Sequence, residues 1–307
     1  MSVPSLTWQL RDRTLDLHPG AQGVSPLVMG IVNITPDSFS DGGRYLDPAR
    51  AVHHALTLVD QGAGLLDLGA ESSRPGAEPV CAAEELRRLL PVIRELAGRL
   101  AVPLSVDTTK AEVAQQALEA GAHLINDISA LREPEMVDVV RTFRAGVVLM
   151  HMQGTPSTMQ QAPTYPQGVV PTVVSFLQER LQSLVARGVP PECIALDPGI
   201  GFGKTLEHNL ALIVHLGALQ SLGRPVCLGV SRKRFLDAIL GRPVHERLAG
   251  SLAVAAHVVQ HQSAHILRVH DVAETVDVVR VLRALSGVQR PETRDQSQKE
   301  PRAKRRG

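Results

Sequence analysis

Six short stretches of the chain carry side chains that could do chemistry, and each follows a short apolar run. The first is Asn33-Ile34-Thr35-Pro36-Asp37-Ser38-Phe39-Ser40-Asp41-Gly42-Gly43, with two carboxylates and three hydroxyls ahead of paired glycines. Such residues make ordinary surface turns. At an active-site mouth, the same loop can order over an anion or close on a substrate. The second stretch is Asp67-Leu68-Gly69-Ala70-Glu71-Ser72-Ser73-Arg74-Pro75-Gly76. Arg74, between a hydroxyl pair and a Pro-Gly turn, suits bidentate bonding to phosphate or carboxylate; a Glu71–Arg74 surface pair is an equal alternative.

The third stretch, Ser105-Val106-Asp107-Thr108-Thr109-Lys110, is followed by Asn126-Asp127-Ile128 at the end of the next apolar run. Asp107, Asn126 and Asp197 all close such runs. Three readings stay open for them: the polar edge of a flat heterocycle, a divalent-metal site, or, for Asp107 and Asp127, helix N-caps. The fourth stretch is Leu196-Asp197-Pro198-Gly199-Ile200-Gly201-Phe202-Gly203-Lys204-Thr205. A phosphate-binding P-loop would need glycine where Pro198 stands. Its glycines instead allow close backbone approach to a ligand, with Phe202 as an aromatic wall.

The fifth stretch, Gly229-Val230-Ser231-Arg232-Lys233-Arg234-Phe235, places three cations at a helix start, unfavourable for the helix dipole unless an anion or carbonyl faces them. A solvated charge run is the alternative, and only one of the three need face the site. The sixth is Arg268-Val269-His270. Strand alternation sends Arg268 and His270 to one face, which suits a pyrophosphate clamp.

The elements that must position these residues follow from the spacing. Eight short apolar runs, beginning near Leu27, Leu65, Leu104, His123, Val147, Ile194, Val226 and Ile266, end in polar or charged residues. Between them, helical periodicity predicts helices over Ala49 to Asp60, Glu84 to Leu96, Lys110 to Ala120, Thr172 to Ala186, Glu207 to Leu222, Glu246 to Gln260 and Asp271 to Leu285. Apolar strands alternating with amphipathic helices predict a parallel sheet buried on both faces, and eight repeats predict closure into a single α/β barrel. Leu6 to Leu17 reads as a β-hairpin capping its bottom, within a segment 1–26. Residues 27–285 form the barrel, and the polar, basic segment 286–307 reads as a disordered tail.

The composition excludes several classes. Of 307 residues, 44% are apolar and 21% charged, and the net charge is +1, so no general field holds nucleic acid or a membrane surface. Cys81, Cys193 and Cys227 are far apart and form no CxxC pair, which argues against a zinc site and for a reducing compartment. No signal peptide or membrane span is expected, and the cytoplasm is the expected location.

Taken in order, NITPDSFSDGG, ESSRPG, SVDT, NDI, LMHMQG, LDPGIGFGK, SRKRF and RVHD resemble the motifs of the dihydropteroate synthase family, from about Leu27 to Leu285. The resemblance implies a (β/α)8 TIM barrel that joins 6-hydroxymethyl-7,8-dihydropterin pyrophosphate to p-aminobenzoate and releases pyrophosphate. It implies that Asp107, Asn126, Asp197 and Lys233 hold the pterin's polar edge, with Ile128, Met150 and Gly229 lining its pocket. Asn33 would bind Mg2+ and pyrophosphate, the latter with Arg268 and His270. Ser73, Arg74, Pro75, Phe202, Lys233 and Arg234 would form the p-aminobenzoate pocket, where sulfonamides would compete, and a mobile loop around Asp37, Ser38 and Phe39 would close over it. It also implies a homodimer. Two residues depart from the family pattern: Ser73 replaces a threonine, and Arg234 stands where serine is common. A pterin-binding methyltransferase barrel and a catalytically silent scaffold are the competing readings. A methyl transfer has no pyrophosphate to hold, and the motif residues needed for synthesis are all present.

Overall fold

The computed structural model of the chain describes residues 6–17, 25–35, 47–72 and 78–287. Two strands, β1 (Thr7–Leu10) and β2 (Arg13–Asp16), pair antiparallel with Trp8 opposite Leu15. Eight more strands follow: β3 (Leu27–Asn33), β4 (Leu65–Gly69), β5 (Leu104–Asp107), β6 (Leu124–Asp127), β7 (Gly146–Met150), β8 (Ile194–Asp197), β9 (Cys227–Gly229) and β10 (Ile266–Val269). They lie in one parallel sheet in the order β8-β7-β6-β5-β4-β3-β10-β9. A bridge between Leu196 and Val226, and a 2.8 Å bond from Leu196 N–H to the Pro225 carbonyl, join the two ends. The expected barrel is present.

Helices cover its outside: α1 (Pro48–Asp60), α2 (Ala82–Ala97), α3 (Ala111–Glu119), α4 (Pro134–Phe143), α5 (Val169–Ala186), α6 (Leu206–Val214), α7 (Arg234–Leu240), α8 (Leu248–Gln260) and α9 (Val272–Gly287). Local sequence explains their starts. Asp47 accepts from Ala49 N–H and Pro48 opens α1, while Thr205 and His208 form a capping box on α6. One stripe of each helix faces the sheet, as with Leu86, Leu89, Val92, Ile93 and Leu96 of α2.

The structure corrects several expected bounds. The periodic run over 207–222 divides into α6 and a 3-10 segment at Leu216–Leu222. The run from 246 starts as a helix only at Leu248, after a 3-10 turn at Val244–Glu246. The last helix continues to Gly287, two residues past the expected end at 285, so the segment from 286 begins helical. Helix α4 was not expected, and of α7 only a start at the cationic motif was. The remainder of the tail, 288–307, lies outside the described residues.

The lumen is filled in layers. At the strand starts, Met29, Leu65, Leu124, Val148, Ala195, Cys227 and Ile266 form one apolar layer, against which Trp8, Leu10 and Leu17 pack. The hairpin is thus a plug under the barrel. Trp8 is fully buried, and its indole N–H donates to the Cys193 carbonyl at 2.9 Å. Gly146 makes room for Leu10: a Cβ there would stand 2.3 Å from Leu10 Cδ2. Replacing this buried indole, Trp8→Ala, is expected to cost about 3–5 kcal/mol, read as a lower midpoint in urea unfolding followed by circular dichroism.

Candidate active site

The layer above the apolar plug is polar, and everything at the mouth stands on it. Asp67, in the middle of β4, is fully buried. Its Oδ2 accepts from the Asn126 amide at 3.0 Å and from Arg268 Nε at 2.6 Å. Arg268 also gives Nη2 to Asp107 Oδ2 at 2.8 Å. Strand ends from four different repeats are therefore tied together: β4, β5, β6 and β10.

Asp197 ends β8 and accepts from Gly199 N–H at 2.7 Å, which starts the glycine-rich turn. A Cβ on Gly199 would lie 1.9 Å from the His151 carbonyl oxygen, and φ there is +70°, so only glycine lets the turn press against the end of β7. The turn carries Ile200, whose carbonyl accepts from Lys233 Nζ, and Phe202, whose ring centroid lies 4.8 Å from that ammonium. Gly229 leaves the space between Lys233 and Arg268 open, since a Cβ would lie 3.8 Å from Lys233 Nζ and 3.9 Å from Arg268 Cβ. An apolar wall of Met150, Met152 and Met159, with Ile128 and Phe202 against it, faces this polar group.

The charges are perturbed by their surroundings. Burial pushes the Asp107 carboxyl up, against the pull of Arg268, and the carboxylates of Asp67, Glu85 and Asp127 add to the rise. Burial likewise raises Asp197, opposed by Lys233 and the Gly199 N–H. Lys233 is pushed down to about 8 by burial, with Asp197 working to raise it. Titratable groups displaced this way, converging from several strand ends, mark a functional site in such a barrel.

The structure decides between earlier alternatives. Asp107 does not cap α3, whose N-cap is Lys110 without a side-chain bond. Asp127 does not cap α4; its two oxygens accept from Ser129 N–H at 2.6 Å and Leu131 N–H at 2.9 Å. Those bonds hold a turn in which Ala130 and Leu131 both have positive φ, and Arg180 donates to both of their carbonyls. Among the described residues, no three His, Cys, Asp or Glu side chains converge to hold a metal ion. The three cations of the fifth stretch separate. Arg232 turns outward to both oxygens of Asp271, Lys233 faces the site, and Arg234 is exposed at the start of α7. Glu71 pairs with Lys110, which also reaches the buried Glu85 at 2.7 Å.

A match to the model of the family described as pterin binding enzyme covers residues 29–270. The dihydropteroate synthase of Escherichia coli K12 is 45% identical over 269 residues, 86% of this chain and 95% of the relative. The chain belongs to the dihydropteroate synthase family. A synthase of Xanthomonas albilineans solved with 4-aminobenzoic acid superposes with a TM-score of 0.85 at 46% identity, covering 93% of this chain and all (100%) of that one. The same organism's synthase in complex with 7,8-dihydropteroate gives 0.81 at 44%, over 92% and 100%. The activity that goes with this family is dihydropteroate synthesis, a transferase reaction.

Of the residues that the family resemblance singled out, Asp107, Asn126, Asp197, Lys233, Gly229 and Arg268 meet at one mouth. Ile128, Met150 and Phe202 form its apolar side. Asn33 ends β3 beside Gly69. His270 approaches the Ser231 hydroxyl through Nδ1 at 3.0 Å. Asp37, Ser38, Phe39, Ser73, Arg74 and Pro75 lie outside the described residues. Sequence reasoning placed Asp67, His151 and Ser231 at the ends of apolar runs but gave no role to them or to Lys204. Asp67 had a signal: a carboxylate inside an otherwise apolar strand, LLDLG.

Lys204 is buried beneath the turn, with Nζ 3.0 Å from His151 Nδ1 and 2.9 Å from the Phe202 carbonyl. Burial pushes it down to about 7, and His151 is pushed down to about 3 by burial and by Lys204. Between about pH 7 and the ordinary lysine value of 10.5, the unfolded chain binds the proton that folded Lys204 has given up. The cost of burying the charge is therefore fully present below about pH 7 and disappears as pH rises toward 10.5. The stability of the parent relative to Lys204→Met should rise across that window, measured by urea unfolding at each pH.

Proposed function

We propose that this mouth binds the pterin pyrophosphate through Asp107, Asn126, Asp197 and Lys233, with Ile128, Met150 and Gly229 around the ring. The observation that carries the reading is the convergence of acceptors, an amide and an ammonium on one apolar-walled opening. That set matches a flat heterocycle presenting amino, imino and carbonyl groups on one edge. Arg268, His270 and Asn33 take the pyrophosphate. Phe202, Lys233 and Arg234, with Ser73, Arg74 and Pro75, take p-aminobenzoate, and the segment carrying Asp37, Ser38 and Phe39 closes over both.

Mg2+ fits this arrangement as a companion of the substrate. It keeps several waters and takes only one or two protein oxygens together with phosphate oxygens, and Asn33 offers one amide oxygen at the end of β3. When bound, the ion neutralises charge on the leaving pyrophosphate. The chain's own groups do the rest. Carboxylates along the pterin edge stabilise positive charge spreading from the exocyclic methylene, so C–O cleavage runs ahead of nucleophilic attack. Pyrophosphate leaves with the bonding pair, held by Arg268 and His270. The aromatic amine attacks the carbon and then loses a proton, with no general base needed beforehand.

Exposed apolar side chains occur on α6, α7 and α9, at Leu210, Val214, Ile239, Leu240, Val281 and Leu285. They support a homodimer, and sedimentation should give twice the chain mass at micromolar concentration. No helix is long and apolar enough to cross a membrane. The free thiols of Cys81, Cys193 and Cys227 support a reducing cytoplasm.

The purified protein mixed with both substrates and Mg2+ should release pyrophosphate. Asp107→Ala or Lys233→Ala should weaken pterin binding about 10–100-fold, since a hydrogen bond to a charged group contributes about 1.5–3 kcal/mol. Near-parental turnover in either variant would overturn the residue assignment. Because Lys233 gives up its proton near pH 8, pterin affinity should also decline above that pH.

A further inference from the structure

Asp67 lies one layer below the mouth and has no side-chain exposure, so a ligand in the mouth does not touch it. We infer that Asp67 is a positioning residue, one oxygen of which orients the Asn126 amide and tethers Arg268 while that guanidinium exchanges Asp107 for the leaving pyrophosphate. The inference rests on the ligand assignment proposed above.

The geometry of Arg268 is the first support. A guanidinium commonly meets one carboxylate with two parallel bonds. Here the fork is split, with Nε on Asp67 and Nη2 on Asp107. The two carboxylates differ in environment: the Asp67 side chain is 0% exposed and that of Asp107 is 20% exposed. Attraction is stronger where water is excluded, so a competing ligand displaces Arg268 from Asp107 first. A pterin edge that takes over Asp107 thereby frees Nη2, while Nε stays fixed. The anion clamp is then armed by the arrival of the ring to which the pyrophosphate is attached.

Asn126 is the second support. Ionised Asp67 has only acceptors, so the Asn126 amide must turn its nitrogen toward it. One N–H is used below, and the other N–H and the oxygen are left in a fixed order for the ligand. Cost is the third support. Burying a carboxylate opposes stability even when it is paired, and the layer beneath is filled with Met29, Leu65, Leu124 and Val148. A charge in the layer just above serves the two groups it holds.

Asp67→Asn is a clean test because the pocket can accept an amide. Asp67 Oδ1 has no hydrogen-bond partner among the described residues, and neither has the hydroxyl of Ser105, its register neighbour on β5. The new Nδ2 can turn toward Ser105 while the remaining oxygen keeps its place. Calorimetry with Mg2+ present would compare 6-hydroxymethyl-7,8-dihydropterin pyrophosphate with the same pterin lacking pyrophosphate. The ratio of the two Kd values isolates what the anion contributes. Asp67→Asn is expected to reduce that ratio by about tenfold or more, equivalent to about 1.4 kcal/mol. In an Arg268→Ala background, the same change should move it less than about twofold. Arg268→Lys, which keeps the charge but has one nitrogen, should lose the ratio as Arg268→Ala does. A parental ratio in Asp67→Asn, multiplying losses in the double variant, or a parental ratio in Arg268→Lys would each overturn the tether. If Asp67→Asn fails to fold, as circular dichroism would show, the lysine variant decides alone. A ratio near one in the parent would overturn the anion-site assignment and the tether together.

Discussion

A guanidinium divided between two carboxylates sits at the centre of this barrel, and the active mouth is built outward from it. Arg268 joins Asp67 on β4 to Asp107 on β5, and Asp67 in turn fixes Asn126 on β6. Charge buried this deeply is stable only as a mutually satisfied group. The constraint therefore runs both ways: the barrel must close for β10 to lie beside β3, and the ionic cluster favours that closure. The apolar layer beneath keeps water from Asp67, whose side chain has no exposure, and this strengthens its contacts.

Backbone positioning dominates on the opposite side of the mouth. The turn from Asp197 to Lys204 is pinned by Gly199 against His151, by Lys204 to the Phe202 and His151 carbonyls, and by Tyr165, whose hydroxyl donates to the Gly203 carbonyl at 2.7 Å. Phe202 and the Ile200 carbonyl are presented to Lys233 by this scaffold. One half of the site is thus arranged by side-chain charge and the other by main-chain shape, and Lys233 is where they meet.

The strands were legible because each is a short apolar run ended by a polar residue, which is also why the barrel and the place of its mouth could be read. Helix α7 was legible only as a start at the cationic motif, because it is just seven residues long and buries only one apolar pair, Phe235 and Leu236. The break between α6 and the 3-10 segment was hidden because periodicity survives across His215. The residues at the mouth came from ordered motifs; spacing alone left Asp107 open as part of a heterocycle edge, a metal ligand or a cap. Asp67 was missed for a physical reason. Its role exists only through Asn126 and Arg268, 59 and 201 positions away in the chain, and no local pattern encodes such partners.

The hairpin plug has a consequence for assembly. Trp8 belongs to the first of the described strands, yet its hydrogen-bond partner is 185 residues further along. The floor of the barrel that Trp8 and Leu10 cover includes Ala195, Cys227 and Ile266, all from the second half of the chain. The apolar surface of the hairpin therefore finds its full set of partners only after the later strands have formed. The hairpin acts as a seal, set after the vessel it closes has taken shape.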